Sequence, residues 1–245
     1  MIEPGQPNIS GQHSILFITG TGTGVGKTVV TAALAALAAA AGRRTAVVKL
    51  AQTGVSDRAD SDTPDLDTVT RLAGVSDTRE LARFPDPLSP EAAARVSGLP
   101  EADMAGARTF IGELAAERDL VLVEGAGGLL VRYDAAGTTI ADVAAGLGAP
   151  ALIVTAAGLG TLNHTALTLE ALAARKIRSA GVVIGSWPHD PGLAERENLK
   201  DLTALAQGPL AGLLPESSGV LPRAEFLAMA RTSLVPGLGG SRNSG

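Results

Sequence analysis

Between residues 15 and 41 the chain passes from an apolar run at 15–19, through Gly20-Thr21-Gly22-Thr23-Gly24-Val25-Gly26-Lys27-Thr28, into an alanine-rich stretch that ends at Ala41. Few arrangements constrain a fold more. Glycines let backbone N–H groups curl around phosphate oxygens, and a helix opening at the same point turns its positive dipole end on the anion. Lys27 is placed to neutralise β- and γ-phosphates, and the Thr28 hydroxyl to ligate Mg²⁺. The loop departs from the common G-x-x-x-x-G-K-[ST] spacing in one respect. Position 21 carries Thr, and Gly20 lies one residue further back, so the loop is one residue longer than usual.

Further runs at 45–50, 120–123, 151–155, 181–184 and 210–214 are apolar on successive residues, as strands buried on both faces are. Helical stretches at 27–41, 65–73, 101–118, 139–146, 162–176, 192–207 and 222–230 alternate with them. The expected fold is a single α/β domain over 15–235, P-loop NTPase-like, with a mostly parallel β-sheet and helices on both faces. Residues 1–14 and the glycine-rich 236–245 read as flexible extensions. Residues 54–64 read as a mobile loop, and 84–100 as an irregular segment whose prolines break any continuous helix. Ligands of such sheets bind beyond the carboxyl ends of the strands, which is where functional residues are expected.

Composition closes off several functions. The 245 residues contain no cysteine, which excludes thiolate catalysis, Cys-ligated zinc, iron–sulfur clusters, disulfides and a cysteine-dependent glutaminase activity. A formal charge of −5 and 2% aromatics argue against a nucleic-acid surface. The most apolar run, 28–42 between Lys27 and Arg43, is shorter than the ~20 residues a membrane span needs. No basic region leads into an apolar core at the N-terminus, as a signal peptide would require. The reading is a cytoplasmic protein that binds neither nucleic acid nor membrane.

A phosphate site with Mg²⁺ needs oxygen ligands. Glu124 ends the run 120–123 and precedes Gly125-Ala126-Gly127-Gly128, where backbone is bare of side chains. A second carboxylate is expected from the loop ahead of Leu66; Asp60, Asp62, Asp65 and Asp67 all compete, and spacing does not choose. Lys49 closes the run 45–48 and precedes Leu50-Ala51-Gln52-Thr53-Gly54. It reads as a cation aimed at an anionic substrate, with Thr53 donating a hydroxyl, or as a chain snorkelling at the sheet edge.

Taken together, the loop 20–28, the block Lys49…Gln52-Thr53-Gly54, Val123-Glu124-Gly125-Ala126-Gly127-Gly128, and Leu159-Gly160-Thr161-Leu162-Asn163-His164 resemble the dethiobiotin synthetases of the biotin pathway. The blocks come in the same order over about 15–215, and the six-residue step from Gly20 to Gly26 is similar to that family's loop. The resemblance implies an ATP-dependent cyclo-ligase. In that reaction 7,8-diaminononanoate takes up CO₂ as a carbamate, ATP activates it as a carbamic–phosphoric anhydride, and the second amine closes the ureido ring. Dethiobiotin, ADP and phosphate result.

By the same resemblance Lys49 and Lys27 are catalytic. Nucleotide contacts fall to Gly24, Val25, Gly26, Lys27, Thr28 and Val29, and to Asp65, Glu124, Gly125, Ala126 and Gly127. Mg²⁺ falls to Thr28, Asp65 and Glu124, with Asp65 favoured by the family's Asp ahead of a helix. Thr23, Lys49 and Thr53 would contact substrate. The substrate's tail carboxylate would bind the N–H groups opening a helix at Gly160, Thr161, Leu162 and Asn163, across a homodimer interface. His164 reads as a helix-start imidazole with a structural hydrogen bond.

Three positions depart from the family pattern. Gly22 and Gly24 stand where many members carry Asp and Glu, and Leu50-Ala51 where Pro-Val is usual. Gly185-Ser186-Trp187-Pro188 stands where an Asn-Asp pair reads adenine, so base recognition falls to backbone near Gly185, Ser186, Pro215 and Glu216, and relaxed nucleotide choice is expected. The rival reading is a dimeric regulatory ATPase of the partitioning and septum-positioning kind. Loops of that kind usually carry an extra lysine near their start, which residues 20–26 lack.

Overall fold

Successive side chains of a strand point to opposite faces, and the central strands here feed two separate cores. The computed structural model describes residues 14–56 and 63–242. In β1 (Ile15–Gly20), Ile15 and Phe17 join one apolar cluster while Leu16 and Ile18 join the other. In β6 (Leu120–Gly128), Val121 and Val123 face the first cluster, Leu120 and Leu122 the second. An unbroken apolar run thus marks a strand covered on both sides.

The elements follow in order: α1 (Lys27–Ala40), β2 (Thr45–Lys49), β3 (Gln52–Thr53), α2 (Asp65–Ala73), β4 (Thr78–Glu80), β5 (Arg83–Phe84), α3 (Pro90–Ser97), α4 (Met104–Glu117), then β6. After it come α5 (Ile140–Gly146), β7 (Ala151–Thr155), α6 (Thr161–Ala174), β8 (Ser179–Trp187), α7 (Leu193–Leu205), β9 (Gly212–Pro215) and α8 (Arg223–Ser233). Seven strands form one sheet in the order β4-β2-β6-β1-β7-β8-β9, with parallel pairing throughout. Helices α1, α2 and α8 supply one core, and α3 to α7 the other. Helix α1 is buried from Val30 to Ala38, and its alanines allow close approach to sheet and helices alike. No helix among the described residues is long and apolar enough to cross a membrane.

The α/β class, the parallel sheet and its two helical layers are as expected. Two expectations are corrected. The segment 84–100 holds a helix, α3, because Pro90 occupies its first turn, where no N–H is needed, and Gly98 closes it in the left-handed conformation at φ 68°. The C-terminal stretch is also packed as far as residue 242. Pro236–Leu238 makes a 3₁₀ turn, Leu238 is buried in the α1/α8 core, and Ser241 N and Arg242 N donate to Arg231 O and Leu234 O at 2.7 and 3.0 Å. Pairing also begins a residue early, since Ser14 O accepts from Val121 N at 2.6 Å. Residues 1–13, 57–62 and 243–245, including Asp60 and Asp62, lie outside the described residues.

Candidate active site

The turn from β1 into α1 needs a left-handed residue at Gly26, with φ 93°. Space excludes a side chain there as well. A Cβ on Gly26 would lie 2.6 Å from Gly185 O, and a Cβ on Gly185 would lie 2.1 Å from Val25 O. The loop is therefore seated backbone-to-backbone on the end of β8. Lys27 folds back over the loop and donates to Gly22 O at 2.9 Å. Burial lowers its pKa to about 8, the positive charge of Lys49 adds to this, and Glu124 and Asp65 oppose it. Such a value describes a cation without its anion. Bound phosphates would raise it again.

Parallel pairing of β2 with β6 sets Lys49 beside Glu124. Lys49 Nζ donates to Glu124 Oε1 at 2.8 Å and to Gly125 O at 3.2 Å, and forms an ion pair with Asp65. Glu124 Oε1 also accepts from Thr28 Oγ1 at 2.9 Å. Burial works against the Lys49 charge, but Glu124 and Asp65 outweigh it and hold the pKa above the ordinary lysine value. Strand β2 lies inside the sheet and Lys49 is only 3% exposed, so the snorkelling alternative does not hold.

Among the candidate acids, Asp65 stands at the first position of α2 and meets Lys49, whereas Asp67 is exposed. The buried Gln52 does this positioning. Its Oε1 accepts from Asp65 N at 3.0 Å, satisfying a free N–H of α2, while its Nε2 donates to Thr53 O at 3.2 Å. A hydroxyl and two carboxylates converging beside the phosphate loop are a donor set that suits Mg²⁺, a hard cation that keeps water and phosphate oxygens in its shell.

These groups open on a cavity of about 700 Å³. Thr23, Gly24, Gly26 and Val29 line it on the loop side, and Thr53, Ala126 and Gly127 line it elsewhere. Pro87, Leu88, Ser89 and Pro90 close the far wall, carried there by the two-stranded β3–β5 ladder and the start of α3. That wall, Gln52 and Tyr133 are what sequence reasoning missed. Tyr133 is fully buried, its hydroxyl accepts from Ala126 N at 2.6 Å, and burial pushes its pKa up to about 12. It pins the end of β6 that follows Glu124. Replacing Tyr133 with Phe leaves the Ala126 N–H unpaired and is expected to cost about 1–3 kcal/mol, read from urea unfolding. An unchanged midpoint would show that the bond adds nothing.

Other expected residues are not brought into this cavity. Gly160, at φ 92°, precedes α6, whose first turn holds Thr161, Leu162 and Asn163 away from it. Leu159 beside it is 95% exposed. His164 is exposed and lines a separate cavity of about 300 Å³ with Thr21 and Leu167, and its imidazole makes no hydrogen bond among the described residues, contrary to the structural role expected. Gly185 is buried under the loop, while Ser186, Pro215 and Glu216 form an exposed rim at the ends of β8 and β9. There Glu216 N donates to Trp187 O at 2.7 Å, and Glu216 Oε1 accepts from His189 N at 2.8 Å.

A glycine loop seated on a parallel sheet, with its lysine and threonine set against two carboxylates, places the chain among the P-loop nucleotide-binding α/β proteins. Solved structures agree at the level of fold. The cell division ATPase MinD of Pyrococcus furiosus superposes with a TM-score of 0.56 at 18% identity, covering 93% of this chain and 97% of that one. MinD of Pyrococcus horikoshii gives 0.57 at 17%, covering 92% and 93%. A family model described as an AAA domain matches residues 14–223.

Sequence relatives are closer. Proteins named ATP-dependent dethiobiotin synthetase BioD from Frankia casuarinae and Parafrankia sp. are 61% and 58% identical, over 92% and 94% of this chain and 94% and 96% of theirs. The namesake from Streptomyces avermitilis is 56% identical over 93% of this chain and 94% of its own. The chain belongs to the ATP-dependent dethiobiotin synthetase family, a family of ligases.

Proposed function

We propose that this protein forms dethiobiotin from 7,8-diaminononanoate, CO₂ and ATP. The observation that carries the reading is the convergence of Lys49, Glu124, Asp65 and Thr28 beside the loop lysine on one cavity. Two ammonium groups and two carboxylates make the protein's own contribution to the site formally neutral, so anionic ligands meet fixed cations without net repulsion. Phosphoryl transfer asks for this kind of preorganised charge more than for a nucleophilic side chain.

One amine attacks CO₂, forming the N–C bond and losing a proton to leave a carbamate. A carbamate oxygen attacks the γ-phosphorus, and the bond to the bridging oxygen breaks to release ADP. The second amine then attacks the anhydride carbonyl, closing the ring and expelling phosphate with loss of its proton. Lys49 faces the carbamate and Lys27 the phosphates. Thr28, Asp65 and Glu124 would hold Mg²⁺, which when bound offsets charge on the phosphates. Thr23 and Thr53 reach substrate from the loop and from β3, and the wall 87–90 limits water.

The protein works as a homodimer in this reading, with the α6 turn of one subunit receiving the substrate carboxylate of the other. The exposed Leu130 and Leu167, which line the smaller cavity, and the exposed Leu159 just ahead of α6 support a covered surface there. The test is phosphate release from ATP with diamine and CO₂ supplied or withheld, and mass detection of dethiobiotin. Strict dependence on both is expected, and release without the diamine would favour a regulatory ATPase. In the same assay kcat/KM for ATP, CTP and GTP should lie within about 10³-fold, given a base site without an amide side chain. A larger ATP preference would overturn that part.

A further inference from the structure

Four threonine hydroxyls meet behind the phosphate loop. Thr155, the last residue of β7 and fully buried, has its Oγ1 2.7 Å from Thr161 Oγ1, 2.8 Å from Thr165 Oγ1 and 3.2 Å from Thr21 Oγ1. Thr161 Oγ1 in turn donates to Ala156 O at 2.7 Å. A hydroxyl carries one proton and two lone pairs, so the directions resolve by counting. Thr161 has given its proton to Ala156 and must accept from Thr155. Thr155 has then used its own proton, and accepts from both Thr21 and Thr165. The chain runs one way, from Thr21 through Thr155 and Thr161 to the Ala156 carbonyl, with Thr165 joining at Thr155.

Its two ends matter for function. Thr21 occupies the position where the common loop has glycine, and its N also donates to Val154 O at 2.9 Å. The loop is therefore fastened to β7 by main chain and side chain together. Thr161 and Thr165 lie in the first turns of α6. Nothing in the proposed chemistry uses these four hydroxyls.

We propose that Thr155 is a positioning residue that registers the first turn of α6 against the phosphate loop, so that nucleotide in the loop tightens that turn. Coupling of this kind is reciprocal, and an anion held at the turn then tightens nucleotide binding. The link stands on the hydrogen bonds alone. That the anion is the substrate's carboxylate rests on the proposed function, and in the proposed dimer the coupling runs from one active site to the other.

The test uses the full-length protein and two variants, Thr155→Val, close in shape but without the hydroxyl, and Thr155→Ser, which keeps it. Amide hydrogen exchange at residues 161–165 is measured with and without adenylyl imidodiphosphate and Mg²⁺. Affinity for 7,8-diaminononanoate is measured in the same two states. In wild type and Thr155→Ser, nucleotide is expected to slow exchange and to raise diamine affinity at least about fivefold, both effects vanishing in Thr155→Val while the analogue's own Kd stays within about threefold. Slowing that persists in Thr155→Val, or that is absent from wild type, overturns the proposal. Should Thr155→Val fail to fold, Thr21→Val cuts the chain at its half-exposed end and decides by the same exchange readout. Diamine that binds no variant would instead refute the proposed function, leaving the exchange result to judge the link.

Discussion

Lys49→Gln is expected to lower kcat/KM for dethiobiotin formation by about 10³-fold or more, roughly 4 kcal/mol, in a chain that still folds. Glutamine can donate a hydrogen bond to Glu124, but it carries no charge. The site then holds one ammonium against two carboxylates, and each arriving anion meets net repulsion where it met balance. Glu124 is 1% exposed, so water does little to screen the change. Removing one partner of a buried pair also costs stability, about 3 kcal/mol. Steady-state kinetics alongside thermal unfolding separates the two effects. Near-normal turnover would remove Lys49 from the chemistry.

The second large effect is expected at Gly185, which does not itself line the cavity. In Gly185→Ala the new Cβ meets Val25 O at 2.1 Å and Val154 Cγ1 at 2.7 Å, with Gly26 Cα at 3.1 Å. A backbone oxygen and an interior side chain give little way, so the phosphate loop must shift. A displacement on the scale of 1 Å costs about 100-fold where several N–H groups must meet one phosphate. Titration calorimetry with ATP and Mg²⁺ is expected to show that loss, with the sheet intact by circular dichroism. Wild-type affinity would mean that the loop does not depend on its seat.

The site was legible in the sequence where its chemistry is contiguous. The loop at 20–28, Glu124 at the end of an apolar run and Lys49 at the end of another each carry their context with them. In a parallel sheet, adjacent strand ends bring such residues together without further signal. Asp65 is one of four candidates, of which Asp60 and Asp62 lie outside the described residues, and what sets it beside Lys49 is Gln52, whose amide oxygen reaches its backbone N across 13 positions. No periodicity announces that bond. The ladder of β3 and β5 is two residues per strand, too short for any alternation, and the wall at 87–90 depends on it. The proline-rich segment misled because proline ends one helix and begins another, and only the third dimension tells which. Leu238 likewise sits among glycines in the sequence and in the same buried cluster as Leu37 in the fold.

The end of β8 has a practical consequence for anyone studying this protein in solution. Trp187 is the chain's single tryptophan, and there is a single tyrosine, so almost all ultraviolet emission comes from one indole. Trp187 is half-buried two residues beyond the glycine on which the phosphate loop rests, and its backbone carbonyl accepts from Glu216 N at the rim. Unlabelled protein therefore carries its own optical reporter, two residues along β8 from the seat of the loop. Its emission can be followed in a stopped-flow cuvette without a dye, a coupling enzyme or a radioactive nucleotide.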